Sequence, residues 1–297
     1  MANDATKSKI LAGQIKEGDK ELKKVVAKAR KKVQAEIVLA AKQGNFIASA
    51  AKRDQLYKGI VKQYVTLNNG VDDWTKKRAT GVSKAWHALA IDELPSAATK
   101  GATFGKFSEK YLKDIIGRVS PETAPNVIGT AYLSMANQDI NAIRKAATDV
   151  IREGAVTGMT NKELTQEMIK RTDKLKAGAV FVDKAGRKWA SDSYFSMLNR
   201  TVHANVARDT YIDTASDAGF DLYRIVGGPS SGEADDPCNE WNGEIISMTG
   251  ATKGYPTYDD ALAAGVWHPN CTHSLSVVVK GYDDKVRMKD KVKKRAT

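Results

Sequence analysis

Residues 268–273, His-Pro-Asn-Cys-Thr-His, place two of the chain's four histidines and one of its two cysteines within six consecutive positions. The other cysteine, Cys238, lies upstream, so that Cys238, His268, Cys271 and His273 form a Cys–x29–His–x2–Cys–x–His set. Thiolate and imidazole are zinc's preferred ligands, and four of them would close a structural site. The same residue types could build a thiol nucleophile with a histidine base. They could also act mechanically, as buried thiols and hydrogen-bonded imidazoles that clasp a loop. The spacing matches no common zinc module, and no third residue that would orient a catalytic histidine can be named from the sequence. The clasp is the expected role, with zinc as its candidate cofactor and a metal-dependent or thiol hydrolase of toxin-like kind as the alternative. If 271–273 lies on a strand, Cys271 and His273 point to one face.

Other chemistries fare worse. A zinc deaminase needs His-x-Glu followed by Pro-Cys-x-x-Cys. This chain has His203-Ala204-Asn205, and Cys238 is followed by Asn239, Glu240 and Trp241, so the glutamate and the second cysteine are missing. Neither standard glycine-rich phosphate loop occurs. The acidic residues Glu233, Asp235 and Asp236 sit in a Gly/Ser-rich stretch and read as a solvated loop. Arg200 is expected to pair with strands above its helix, His203 to belong to the packing, and Trp241 and Trp267 to be core.

These residues need elements to hold them. From about residue 7 to 92 the pattern is helical: Val25, Val26, Val33, Ile37 and Ala40 recur at threes and fours among lysines. Gly44-Asn45 breaks the first helix, and Asn68-Asn69-Gly70 is expected to end the second. A third carries Trp74, Trp86 and Leu89, and a short one Phe107, Tyr111 and Leu112. Helix returns over 127–157, closed by Gly154 and Gly158. Thr160 and Glu163 form a capping box for the next. Near residue 178 the character changes. Residues 179–191 read as strand, turn, strand, and Ser191 caps a long helix that Gly219 ends. A strand at 221–226, a loop, a tight turn at 238–243 and a strand at 244–248 follow. A short helix at 258–264 and a strand at 274–280 complete the pattern. The expected fold class is α+β, with an extended all-helical N-terminal region and a long C-terminal helix packed on a short, mainly antiparallel sheet. The expected division is 1–177 helical, 178–280 α+β and 281–297 a basic tail.

Charge adds a second theme. Lysine and arginine outnumber aspartate and glutamate by 47 to 35, and the excess is local. Residues 16–32 carry eight basic against three acidic residues, and 280–297 repeat that ratio. Both runs suit phosphate backbones or acidic protein surfaces, with Lys289, Lys291, Lys293, Lys294 and Arg295 as the tail's contacts. Neither interleaves aromatics, so neither is a base-stacking platform. No apolar run is long enough to span a membrane and no secretory leader opens the chain. With two cysteines no disulfide framework is available, and the expected setting is a reducing cytoplasm.

The linear order of several motifs is specific. Asp183, Ala185, Gly186 and Arg187 form a turn, Arg200 and Thr201 lie in a helix, and a strand follows. Then come Cys238, Trp241 and Gly243, and finally His268, Pro269, Asn270, Cys271 and His273. In this order, over about 178–280, the chain resembles the phage minor capsid proteins of the Mu head-morphogenesis group. The resemblance implies a low-copy structural virion protein of a tailed bacteriophage, assembled in the host cytoplasm and placed in the head interior or at the portal vertex. It implies a role in head morphogenesis and DNA ejection. Its implied partners are the portal protein, capsid or scaffolding proteins and packaged DNA. Because the Cys/His cluster lacks a base and an orienting residue, no enzyme activity is expected.

Overall fold

The computed structural model describes residues 4–43, 49–95, 130–173, 180–182, 188–227, 236–268 and 270–279. Helix α1 (Asp4–Lys42) buries Leu22, Val26, Ala29, Val33, Ile37 and Ala41, a stripe at intervals of three and four that places them on one face. Helix α2 (Ala50–Glu93) departs from expectation, because it runs straight through Asn68-Asn69-Gly70. The reason is packing. Leu67, Val71 and Trp74 are buried on either side of Gly70, and a Cβ at Gly70 would meet Val25 Cγ1 at 3.0 Å. Gly70 serves close helix approach, and burial outweighs its weak local propensity of about 1 kcal/mol.

Helix α3 (Thr130–Thr157) ends as the sequence indicates, with Gly158 at φ +73° and the amides of Gly158 and Met159 both donating to Gly154 O. The capping box then opens α4 (Asn161–Asp173). Thr160 N donates to Glu163 Oε2 at 2.8 Å, and Glu163 N donates back to Thr160 Oγ1 at 3.4 Å. Strands β1 (Val180–Val182) and β2 (Lys188–Ala190) pair antiparallel with Phe181 opposite Trp189. The turn between them, with Asp183, Ala185, Gly186 and Arg187, lies outside the described residues, as do the expected helix at 107–116 and the tail with Lys289, Lys291, Lys293, Lys294 and Arg295.

Helix α5 (Ser191–Asp217) stops before Gly219, at φ +88°. Strand β3 (Leu222–Val226) is central in a three-stranded antiparallel sheet, flanked by β4 (Ile245–Ser247) and β5 (Ser274–Val277). Between β3 and β4 the expected tight turn is a one-turn helix, α6 (Pro237–Trp241), and α7 (Tyr258–Ala263) falls where a short helix was expected. The α+β class read from the sequence stands. None of the described helices is long and apolar enough to cross a membrane.

The chain packs as two units built from separated stretches. One comprises Gly18–Lys76 and Ile116–Ser196, the other Met1–Glu17, Lys77–Ile115 and Met197–Thr297. The first is a helical core of residues such as Ile60, Trp74, Ile143 and Val150, with Tyr64 Oη donating to Asp139 Oδ2 at 2.5 Å. The second holds the three-stranded sheet, and an ion pair binds its distant parts. Lys7, 1% exposed, reaches Glu93 at 2.6 Å, Ser276 Oγ at 2.8 Å and Leu275 O at 3.3 Å, above the Tyr211 ring. Tyr211 Oη donates to Glu93 at 2.6 Å and accepts from Val277 N at 3.1 Å. Burial lowers the Lys7 pKa, and the Glu93 charge opposes that shift.

Candidate functional site

The site begins where β3 ends. Asp236 is the N-cap of α6, accepting from Cys238 N at 2.9 Å, and Pro237 takes the first helical position, where its missing N–H costs nothing. The cap therefore aims Cys238 into the interior, where it is fully buried. The second half is the loop from α7 to β5. It turns sharply, with Gly265 at φ +87°, Trp267 at +61° and Asn270 at +74°. A left-handed tryptophan is costly, and such conformations persist only where surroundings enforce them. Thr201 Oγ1 on α5 accepts from Asn270 N at 3.3 Å, and Cys271 N donates to His268 O at 3.0 Å.

Cys238 Sγ lies 3.2 Å from Cys271 Sγ, which lies 3.5 Å from His273 Nδ1. Cys271 and His273 are 2% and 0% exposed. Each sulfur also accepts a backbone N–H: Trp267 N donates to Cys238 at 3.3 Å and His273 N to Cys271 at 3.4 Å. Residues 271–273 are not strand, since β5 starts at Ser274; the two side chains meet through the loop rather than through strand alternation. His268 lies to one side and pairs through Nε2 with Asp236 Oδ1 at 2.9 Å. The expected four thus form two groups that share Cys238: Cys238, Cys271 and His273, and Asp236, Cys238 and His268.

The thiols differ. The hydrogen bond to Cys271, with burial, pushes the Cys238 thiol up to about 12. The same hydrogen bond lowers that of Cys271, with the Arg208 charge adding to the effect. Arg208 stacks over Trp267 at 5.0 Å and donates to Asn205 Oδ1 at 2.7 Å. Behind the site Gly227, at φ +153°, is tightly packed: a Cβ there would meet His273 Cα and its ring at 3.1 Å.

Asp236 corrects the sequence reading: it is not a solvated loop acid but 4% exposed and the hinge of the cluster. Its position directly before Pro-Cys was the available signal, since Asp then Pro is an N-cap followed by a first helical residue. Lys7 and Glu93 were missed as well, and nothing local marks them. Arg200 is exposed on α5 rather than turned under the strands. Trp241 is half-buried, whereas Trp267 is core as expected. Gly243 adopts φ +91° and its amide donates to Ile225 O at 2.8 Å, so this motif glycine serves the turn into β4. His203 is a packing histidine, with Nδ1 on Asn199 O at 2.8 Å and Nε2 accepting from Arg78 Nε at 3.2 Å. Pro269 and the acids Glu233 and Asp235 lie outside the described residues.

The three-stranded sheet, with two buried thiols and the buried His273 packed beside it and the partly buried His268 to one side, defines an α+β domain closed by a Cys/His cluster. The family described as phage minor capsid protein 2 matches residues 93–296, more than half of the chain, and the protein belongs to that family. It is accordingly a phage virion protein with a structural role in the capsid and other phage head proteins as its partners. The match starts well upstream of the motifs at 183–273 and takes in α3 and α4, which carry none of them. No curated protein and no solved structure matches the chain.

Proposed function

We propose that the protein is a non-enzymatic minor capsid protein of a tailed phage, carried in the head interior or at the portal vertex. In this role it contacts the portal, capsid or scaffolding proteins and packaged DNA. It acts in head morphogenesis and accompanies DNA ejection. The family match over 93–296 carries the reading. Two features support its finer parts. Within α1, Lys20, Lys23, Lys24, Lys28, Lys31 and Lys32 are all exposed, a basic stripe suited to phosphates or acidic proteins. The thiols are buried, whereas a nucleophilic or metal-hydrolytic centre needs an open position or an accessible thiolate. The 1–177 region then presents the partner surface, the clasp holds the 178–280 segment together and the 281–297 tail adds cationic contacts.

The test is quantitative mass spectrometry of purified virions, proheads and particles emptied of DNA, with cross-linking to the portal. A few to a few tens of copies per virion, cross-linked to portal and depleted on emptying, is the expected result. Presence only in infected-cell lysate overturns the virion role. Deleting 281–297 should weaken DNA binding and flatten its salt dependence; an unchanged slope reduces the tail to a solubility feature.

A further inference from the structure

We infer that the clasp is a structural zinc site, with Cys238, Cys271 and His273 as ligands and the Asp236–His268 pair supplying the fourth through His268. This deepens the clasp reading and is separable from it, because hydrogen bonds alone could also hold the loop.

Four observations converge. The candidate ligand atoms of Cys238, Cys271 and His273 all lie within 4.8 Å of one another, and so do those of Asp236, Cys238 and His268. Ligands at about 2.0–2.3 Å from a tetrahedral zinc are about 3.3–3.8 Å apart, so the sulfur–nitrogen separation of 3.5 Å already fits and the sulfur–sulfur separation of 3.2 Å needs only a small opening. Both sulfurs already receive backbone N–H donors, the arrangement that stabilises thiolate charge.

His273 is fully buried, and Nδ1 is the ring nitrogen it turns toward the thiols, 3.5 Å from Cys271 Sγ, so Nδ1 is its ligand atom. On the other side, Asp236 stands behind His268 as a carboxylate that fixes ring orientation, the usual support for a metal-binding histidine. The same carboxylate caps α6 at Cys238, so one residue positions two ligands. Two thiolates and two neutral imidazoles balance a divalent cation, which suits burial. The left-handed Trp267 and Asn270 bracket the ligand loop, as strain held at a binding site does.

The experiment uses the full chain, made in a zinc-supplemented bacterial cytoplasm and purified without chelator. Metal content, reduced thiols after denaturation and the visible spectrum after cobalt exchange are measured. About one zinc per chain with both thiols protected until denaturation is expected, together with tetrahedral cobalt bands and a thiolate charge-transfer band. Cys238→Ser and Cys271→Ser should lose the metal, whereas Asp236→Asn should keep it at about 10–100-fold lower affinity. Two reduced thiols with neither zinc nor a cobalt spectrum overturn the inference; if Cys271→Ser is then still destabilised, the clasp reading survives alone. A Cys238–Cys271 disulfide in protein from the reducing cytoplasm overturns it too. The cobalt spectrum needs only the native chain, so it decides the matter even where a variant fails to fold.

Discussion

The two packing units are held together by different means. The helical unit relies on many similar contributions: Leu22, Val26, Ile60, Trp74, Ile143 and Val150 each bury apolar surface along long helices. The sheet-bearing unit also buries apolar residues, among them Trp86, Val206, Ile225 and Leu275, and adds specific polar contacts to them: Lys7 with Glu93, Asp221 with the turn after β4, and the Cys238–Cys271–His273 cluster. Distributed burial tolerates the loss of one member in proportion to its volume. A polar cluster fails as a group, because each lost partner leaves others buried and unsatisfied.

The strongest way to break this comparison is Cys271→Ser. It should cost about 4 kcal/mol or more, the size reserved for a buried network or metal site. Amide exchange should rise in β3, β4 and β5 while α3 and α4 stay slow. Virion incorporation should fall with the melting temperature. A stable, incorporated but non-infectious product would instead point to a catalytic cysteine.

Ile60→Ala is the counterpart. Ile60 is fully buried in α2, and truncation should cost about 2–4 kcal/mol through lost transfer energy and a cavity. Exchange should rise first in α3 and α4. If both variants loosen both sets of amides equally, the contrast between the units fails.

Asp221→Asn sharpens the polar side. The carboxylate accepts from Ser247 Oγ at 2.6 Å, from Thr249 N at 2.8 Å and from Thr252 Oγ1 at 2.7 Å. Burial opposes ionisation, but these donors outweigh it and hold the pKa well below the ordinary value. Because the folded state keeps the carboxylate ionised more firmly, its contribution is full above about pH 4 and is lost as pH falls below that. The variant should lose about 1–2 kcal/mol at neutral pH. Its deficit against the native chain should shrink in acid, as read from denaturant midpoints at pH 7 and pH 3. A deficit that does not change with pH would remove Asp221 from the polar ledger.

The smallest effect is expected at Thr160→Ala, which removes an exposed capping box and should cost about 1 kcal/mol. Loss of helical signal confined to α4 would confirm a local role; a global loss would show that the helical unit is less distributed than its burial suggests.

Local chemistry made much of this molecule legible. The stripe along α1, the stop at Gly158, the capping box at Thr160, the start of α5 at Ser191 and the strands at 222–226 and 274–277 all follow from spacing and turn residues. The residue types at 238 and 268–273 named the cluster, because thiols and imidazoles concentrated in so few positions have few uses. Tertiary structure decided the rest, and for one physical reason: the free energy at those positions comes from groups distant in sequence. Gly70 should have ended a helix, but its approach to Val25 and the burial of Val71 and Trp74 carry α2 through it. Asp236 is an ordinary acid among loop acids until folding brings His268, thirty-two residues away, onto its oxygen. Lys7 looks like one solvated lysine of many, yet Glu93 and Ser276 make its burial possible. Sequence supplied the donors and acceptors; only the fold determined which of them share a low-dielectric interior, where each must find a partner.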